Sequence, residues 1–267
     1  MKKSRQTSVP LPRIHATEEP EPCVLVHGDL DFRAAVEFSR AVTALLERHE
    51  AVVVDLSGSP FVDSSGVGAL LDAHKLATRT RKRVELRGPR AQVRKALQIS
   101  GFASLFGVEP LRLETTDPSA ASPEALQTDW RINESVVVGI PILVASMREE
   151  AVEAAREAGL SESALHDVRL AVGEALTNAL KHAVRPGLDK IRVRCMTCPS
   201  AFVVEVTDQG AGFNPDSVSI PEAASLQAGG LGIHLMRSSM DEVEFASDGR
   251  GSKVRMIKWI GAPGDKP

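Results

Sequence analysis

Three clusters in the second half of the sequence carry groups that a nucleotide site would use. Glu174, Asn178 and His182 recur every four residues, a spacing that in a helix puts them on one face with about 40° of drift per step. Asp208-Gln209-Gly210-Ala211-Gly212 directly follows the strand-like run Val203 to Thr207. A carboxylate at a strand end can accept from an amine, and the glycines beside it let the backbone turn and come close to a flat ligand. Gly229-Gly230-Leu231-Gly232 opens a helical pattern, where unpaired N–H groups and the helix dipole favour phosphate. A fourth cluster lies in the first half, Phe61-Val62-Asp63-Ser64-Ser65-Gly66-Val67-Gly68. Asp and Ser ahead of an apolar helix are ordinary N-caps. A phosphate formed there would find unpaired N–H donors and would add about −1.5 to −2 charge beside Asp63.

The elements that must position these residues follow from hydrophobic periodicity. In the first half, strands are expected at Cys23 to Val26, Ala51 to Leu56 and Val84 to Leu86. They alternate with helices over Ala34 to Leu46, Gly66 to Thr78 and Val93 to Ile99. Such alternation predicts a small α/β layer. The polar, proline-containing lead to about Pro20 is expected to lack a fold of its own. Thr115 to Thr128 is rich in Thr, Pro, Ser and Ala and reads as a linker. Beyond it come an edge strand, Trp130 to Val137, and a helix from Ile142 to Ala158 closed by Gly159. Ser161 caps a second helix that runs to Ala183. A hairpin of Ile191 to Met196 and Phe202 to Thr207 follows, then a helix near Ile233 to Met240 and strands near Val243 and Val254. Helices placed ahead of a run of strands predict an α+β two-layer sandwich. The organisation expected is residues 21–114, a linker at 115–128, and a second domain at 129–261.

The order and content of the three later clusters resemble the N, G1 and G2 boxes of the GHKL (Bergerat) ATPase superfamily, which includes gyrase, Hsp90, histidine kinases and anti-sigma serine kinases. Gly251-Ser252 is similar to the G3 element, with Ser where Thr is usual. The resemblance covers Trp130 to Ile260 and implies a set of roles. Asn178 would hold Mg²⁺, and Asp208 would accept from the adenine amine with Gly210 and Gly212 in support. Gly230, Leu231 and Gly232 would cradle phosphates beneath a lid at Asn214 to Ala228. His182 and Ser252 would complete the binding set, Glu174 would activate the attacking hydroxyl, and Arg148 would help handle the transferred phosphoryl group. The first half resembles the STAS-domain anti-sigma-factor antagonists in its D-S-S-G loop and in the turn Gly28-Asp29-Leu30-Asp31. That resemblance implies Ser64 as phosphoacceptor, with Ser65 as the alternative.

Together the two resemblances imply a bacterial regulator that uses ATP and Mg²⁺ to phosphorylate a STAS serine, its own or a partner's. Sigma-factor availability would then follow by partner switching, with a sigma factor or a STAS antagonist as the protein partners. An intramolecular STAS–kinase contact and a homodimer both stay open. The rival reading is a non-catalytic ATP-binding docking module of a larger signalling assembly. A histidine-kinase reading would use His166, but that residue lies eight positions before Glu174 on the same expected helix, with no separate dimerisation helices upstream.

Bulk properties narrow the field further. The 267 residues suit two modest domains. The net charge of −3 exerts no general pull on nucleic acid or anionic membrane. Three cysteines make no disulfide framework, no apolar run approaches a membrane span, and the basic start lacks an apolar core, so a cytoplasmic protein is expected. Cys195-Met196-Thr197-Cys198 reads as a hairpin with incidental cysteines rather than a metal or redox site. The basic stretch Arg79 to Lys95 lacks interleaved aromatics and reads as a solvated face rather than a nucleic-acid surface.

Overall fold

In the computed structural model the described residues are 9–109, 130–138, 140–183, 189–210, 230–247 and 251–261. The expected linker, Gly212, Gly229 and the expected lid at Asn214 to Ala228 lie outside them. The described chain forms two compact units. One is built on 10–109, with 230–235 counted in it; the other is built on 130–210 and 236–261.

The first unit is a four-stranded sheet with helices. Its strands are β1 (Arg13–Thr17), β2 (Cys23–His27), β3 (Ala51–Asp55) and β4 (Arg83–Arg87), in that spatial order. β1 is antiparallel to β2, whereas β2, β3 and β4 run parallel. Every second residue of β3 is buried, Val52 and Val54 completely, and these face their register partners Val84 and Val24. Helix α1 (Ala35–Arg48) buries Phe38, Val42, Leu45 and Leu46, an i, i+4, i+7, i+8 stripe. It packs beside α2 (Ser64–Arg79), and α3 (Ala91–Ile99) closes the unit through Val93, Ala96 and Leu97. β1 lies inside the lead that was expected to lack a fold. Its residues are all exposed or half-buried, so an edge strand held by pairing with β2 leaves almost no apolar signal in the sequence.

The second unit is a helix layer on an antiparallel sheet. β5 (Arg131–Val138), β6 (Lys190–Cys198), β7 (Ala201–Thr207), β8 (Glu242–Ser247) and β9 (Ser252–Trp259) lie in the order β5-β6-β7-β9-β8. β5 is an edge strand, as expected. Helix α4 (Pro141–Glu157) begins with proline at its first turn, where no N–H is missed. Gly159, at φ +91°, supplies the left-handed turn that follows. Ser161 Oγ then accepts from Ala164 N at 3.3 Å and starts α5 (Glu162–Asn178). α4 packs against β5 and β6, and α5 against β7 and β9. Lys258 Nζ pins three pieces together: Asp167 of α5 at 3.2 Å, Asp241 at 3.3 Å, and the Ser239 carbonyl oxygen at 2.9 Å. Ser239 ends α6 (Leu231–Ser239).

Candidate functional site

Glu174 sits in the last turns of α5 with none of its surface exposed. Its neighbours Val172, Ala175 and Leu176 are buried too, so the helix carries a charged side chain into an apolar layer. A carboxylate taken out of water is costly unless it is engaged, and Glu174 has interactions within the structure. Asn178, one turn on, is half-buried and ends the α-helical part. Ala179–Ala183 forms a π turn, in which i→i+5 bonding widens the helix. The side chain of His182 lies outside the described residues.

Asp208 stands at the end of β7, 9% exposed. Its Oδ1 accepts from Gly210 N at 2.9 Å and from Ser252 N at 3.1 Å, while its own N–H donates to the Ser252 carbonyl oxygen at 3.0 Å. The carboxylate is therefore held by one oxygen, and Oδ2 accepts from no described residue. Gly251 explains the G-S pair before β9. A Cβ at that position would lie 2.3 Å from the Asp208 carbonyl oxygen, so only glycine lets the two strand ends approach. Gln209, which the sequence reading passed over, fixes the other side: its Oε1 accepts from Lys190 N at 3.1 Å.

Gly230 adopts φ +79°, a left-handed conformation that suits glycine, and α6 opens on Leu231, with Leu231 and Gly232 both buried. Arg148, a residue type that on a helix usually faces solvent, is 3% exposed on α4. Its Nε donates to Glu149 Oε1 at 2.9 Å, and Arg169 of α5 donates to that same oxygen from Nε and Nη2, both at 3.0 Å. Neither Glu149 nor Arg169 was singled out from the sequence. Glu149-Glu150 beside an arginine looks like a solvated stretch until the helix pairing is known.

In the first unit, the serine loop is built on one carboxylate. Asp63, 1% exposed, caps α2: Oδ1 accepts from Ser65 N at 2.8 Å and Gly66 N at 2.9 Å, and Oδ2 accepts from Phe32 N at 3.3 Å. Ser64 and Ser65 are both half-buried in the first turn. The expectation of unpaired N–H donors for a phosphate is therefore corrected, because the Asp63 carboxylate already takes the donors of Ser65 and Gly66. The G-x-L-D turn is the partner of this loop. Leu30 N donates to the Phe61 carbonyl oxygen at 2.9 Å, and Leu30 and Val62 form a parallel bridge. Arg33 stiffens the turn by bonding Asp31 at 2.7 Å and Asp29 at 3.4 Å.

Cys195 and Cys198 are an odd number of residues apart on β6, so a period-two strand sends them to opposite faces. Both are buried, and the described residues contain no group of three His, Cys, Asp or Glu able to hold a metal. His166 is half-buried on α5. Within the basic stretch, Arg87 pairs with Glu21 at 2.6 Å and Arg90 Nε donates to the Ser57 carbonyl oxygen at 2.9 Å. No described helix is long and apolar enough to cross a membrane.

Comparison with known proteins locates both halves. Residues 140–258 match the family model of the histidine kinase-like ATPase domain, and residues 14–109 match that of the Mlab, STAS domain. Serine-protein kinase RsbW of Listeria monocytogenes is 34% identical over 116 residues, 40% of this chain and 73% of that protein. Anti-sigma F factor of Caldanaerobacter subterraneus is 32% identical over 100 residues, 36% of this chain and 70% of that protein. The solved structure of the anti-sigma factor antagonist SpoIIAA in its unphosphorylated form matches with a TM-score of 0.31 and 22% identity, over 35% of this chain and 84% of that one.

Proposed function

We propose a function from one premise: the chain belongs to the family of anti-sigma-factor serine-protein kinases, with its histidine kinase-like ATPase domain behind a STAS domain. It binds ATP with Mg²⁺ and phosphorylates a serine of a STAS antagonist, its own Ser64 or a partner's. The phosphorylation state then sets which protein, sigma factor or antagonist, occupies the kinase.

The observation that carries this reading is the divided carboxylate of Asp208. One oxygen is locked by the N–H groups of Gly210 and Ser252, which orients the other, Oδ2, as an acceptor for the exocyclic amine of adenine. Half-buried Asn178 offers an amide oxygen, a hard ligand suited to Mg²⁺ that keeps most of its coordination for phosphate and water. When bound, Mg²⁺ would offset the charge of the phosphates. Glu174, one turn away from Asn178, would take the proton from the serine hydroxyl. The serine Oγ forms the new bond to the γ-phosphorus as the bond to the β–γ bridging oxygen breaks, and ADP leaves. Arg148 would stabilise charge on the transferred group.

Incubating the full chain with γ-labelled ATP and Mg²⁺ tests the reading. Labelled wild type, with label lost in Glu174→Ala, is the expected result. Ser64→Ala should abolish self-labelling while leaving transfer to a separately supplied STAS antagonist. Nucleotide binding with no label on any acceptor would replace the kinase reading with a non-catalytic docking module.

A further inference from the structure

The α4–α5 hairpin holds an ion network in which phosphoryl transfer, as drawn above, gives Arg148 a task but leaves Glu149 and Arg169 without one. A single oxygen, Glu149 Oε1, accepts from Arg148 on its own helix and twice from Arg169 on the next. The side chains of Arg148, Glu149 and Arg169 are 4%, 23% and 19% exposed, so water screens these bonds only in part. α4 and α5 are consecutive, packed together and joined by the short turn at 158–161, hence antiparallel. Pairing residues equally far from that turn sets Arg148 level with Ala171, and Arg169 level with Glu150. Helical side chains lean toward their own N-terminus. Arg148 therefore leans toward the level of Glu174, and Glu174 leans back toward Arg148.

We propose that Glu149, backed by Arg169, is a positioning residue for phosphoryl transfer: by holding Arg148 through Nε it directs the outer nitrogens of that guanidinium toward the transferred group beside Glu174. The inference rests on the kinase reading. Its physical basis is that the carboxylate sits between two like charges. Without it, the guanidinium groups of Arg148 and Arg169 repel, and Arg148 loses a contact that holds its guanidinium. Misplacing a catalytic group by about 1 Å can cost on the order of 100-fold in rate. Glu149 touches neither nucleotide nor acceptor serine in this scheme, so ATP affinity should be spared.

The experiment measures serine phosphorylation by the full chain at varied ATP, with Mg²⁺ in excess, and ADP affinity by calorimetry. Glu149→Gln is expected to lower kcat about tenfold or more, with KM for ATP and ADP affinity within about twofold of wild type. In an Arg148→Ala background the same change should have no further effect, because its route of action is gone. Arg169→Gln, which leaves Glu149 in place, should lower kcat by a smaller factor and serves as the second probe if Glu149→Gln does not fold. An unchanged kcat in both single variants, or full additivity with Arg148→Ala, overturns the positioning role while the kinase reading stands. A wild type that transfers no phosphoryl group overturns both.

Discussion

Replacing Gly66 by alanine sets two physical effects against each other with opposite signs. In an exposed helix interior, alanine is preferred over glycine by about 1 kcal/mol. Gly66 lies in the first turn of α2, where a Cβ would stand 1.9 Å from the Leu30 carbonyl oxygen and 2.6 Å from Val62 Cγ2. The obstacle is backbone, and it is held: Leu30 N bonds the Phe61 carbonyl oxygen, and the neighbouring Phe32 N–H bonds Asp63. Either the G-x-L-D turn or the start of α2 must move by more than about 1 Å. Overpacking of this kind costs roughly 1–3 kcal/mol. Moving the helix start also weakens the Asp63 cap, worth about 1 kcal/mol, and the Phe32 bond, worth about 1 kcal/mol. The steric side wins by roughly 2–4 kcal/mol, and for a unit of about 100 residues this lowers the unfolding midpoint by on the order of 10–20 °C. Native-state hydrogen exchange on the amides of α2 in the full chain reads the effect locally. Gly107→Ala is the control: at φ +62° with nothing within 4 Å of its Cβ, it carries only the left-handed backbone penalty of about 1–2 kcal/mol. If Gly66→Ala slowed exchange in α2, the close approach of Leu30 would be refuted and helix propensity would be the controlling term.

Two further predictions bear on the second unit. Asp208→Asn keeps an oxygen for the N–H groups of Gly210 and Ser252 but turns Oδ2 into a donor facing the adenine amine; ATP affinity should fall roughly 100-fold by calorimetry, with thermal stability little changed, and undiminished affinity would remove Asp208 from the nucleotide site. Burial, aided by the nearby Glu150 carboxylate, pushes the Cys195 thiol up to about 12. The unfolded chain therefore sheds this proton first as pH rises, and the stabilisation, complete below the ordinary thiol value of 9.0, is lost toward pH 12, amounting to about 4 kcal/mol at most. Urea unfolding between pH 8 and 10.5 should show a shallower loss of stability for Cys195→Val than for wild type; parallel slopes would refute the burial argument.

How far the sequence reveals the molecule depends on which interactions leave a periodic trace. α1 announces itself because Phe38, Val42 and Leu45 must all reach one core, and β3 because Val52 and Val54 alternate into it. β1 leaves no such trace, since its stability comes from main-chain pairing with β2. The π turn at Ala179–Ala183 has no compositional mark either, so the helix was expected to run unchanged to Ala183. Cys195 and Cys198 look like a ligand pair only while their spacing is counted without a strand beneath it. The sharing of Glu149 between Arg148 and Arg169, 21 positions apart, arises only through the α4–α5 pairing.

The serine loop shows why a structural and a functional reading of one motif need not compete. Asp63 is an ordinary N-cap, fully used by Ser65, Gly66 and Phe32, and that use has a consequence for an acceptor at Ser64. A helix start whose nearest donors are already committed offers a new phosphate no well-paired place of its own, and the buried Asp63 carboxylate repels it. Under the kinase reading the added charge is therefore left for solvent or for a docked protein to accommodate. A face that accepts a neutral serine would lose affinity on phosphorylation even with the fold of the STAS unit unchanged, and the switch would reside in the interface rather than in the domain.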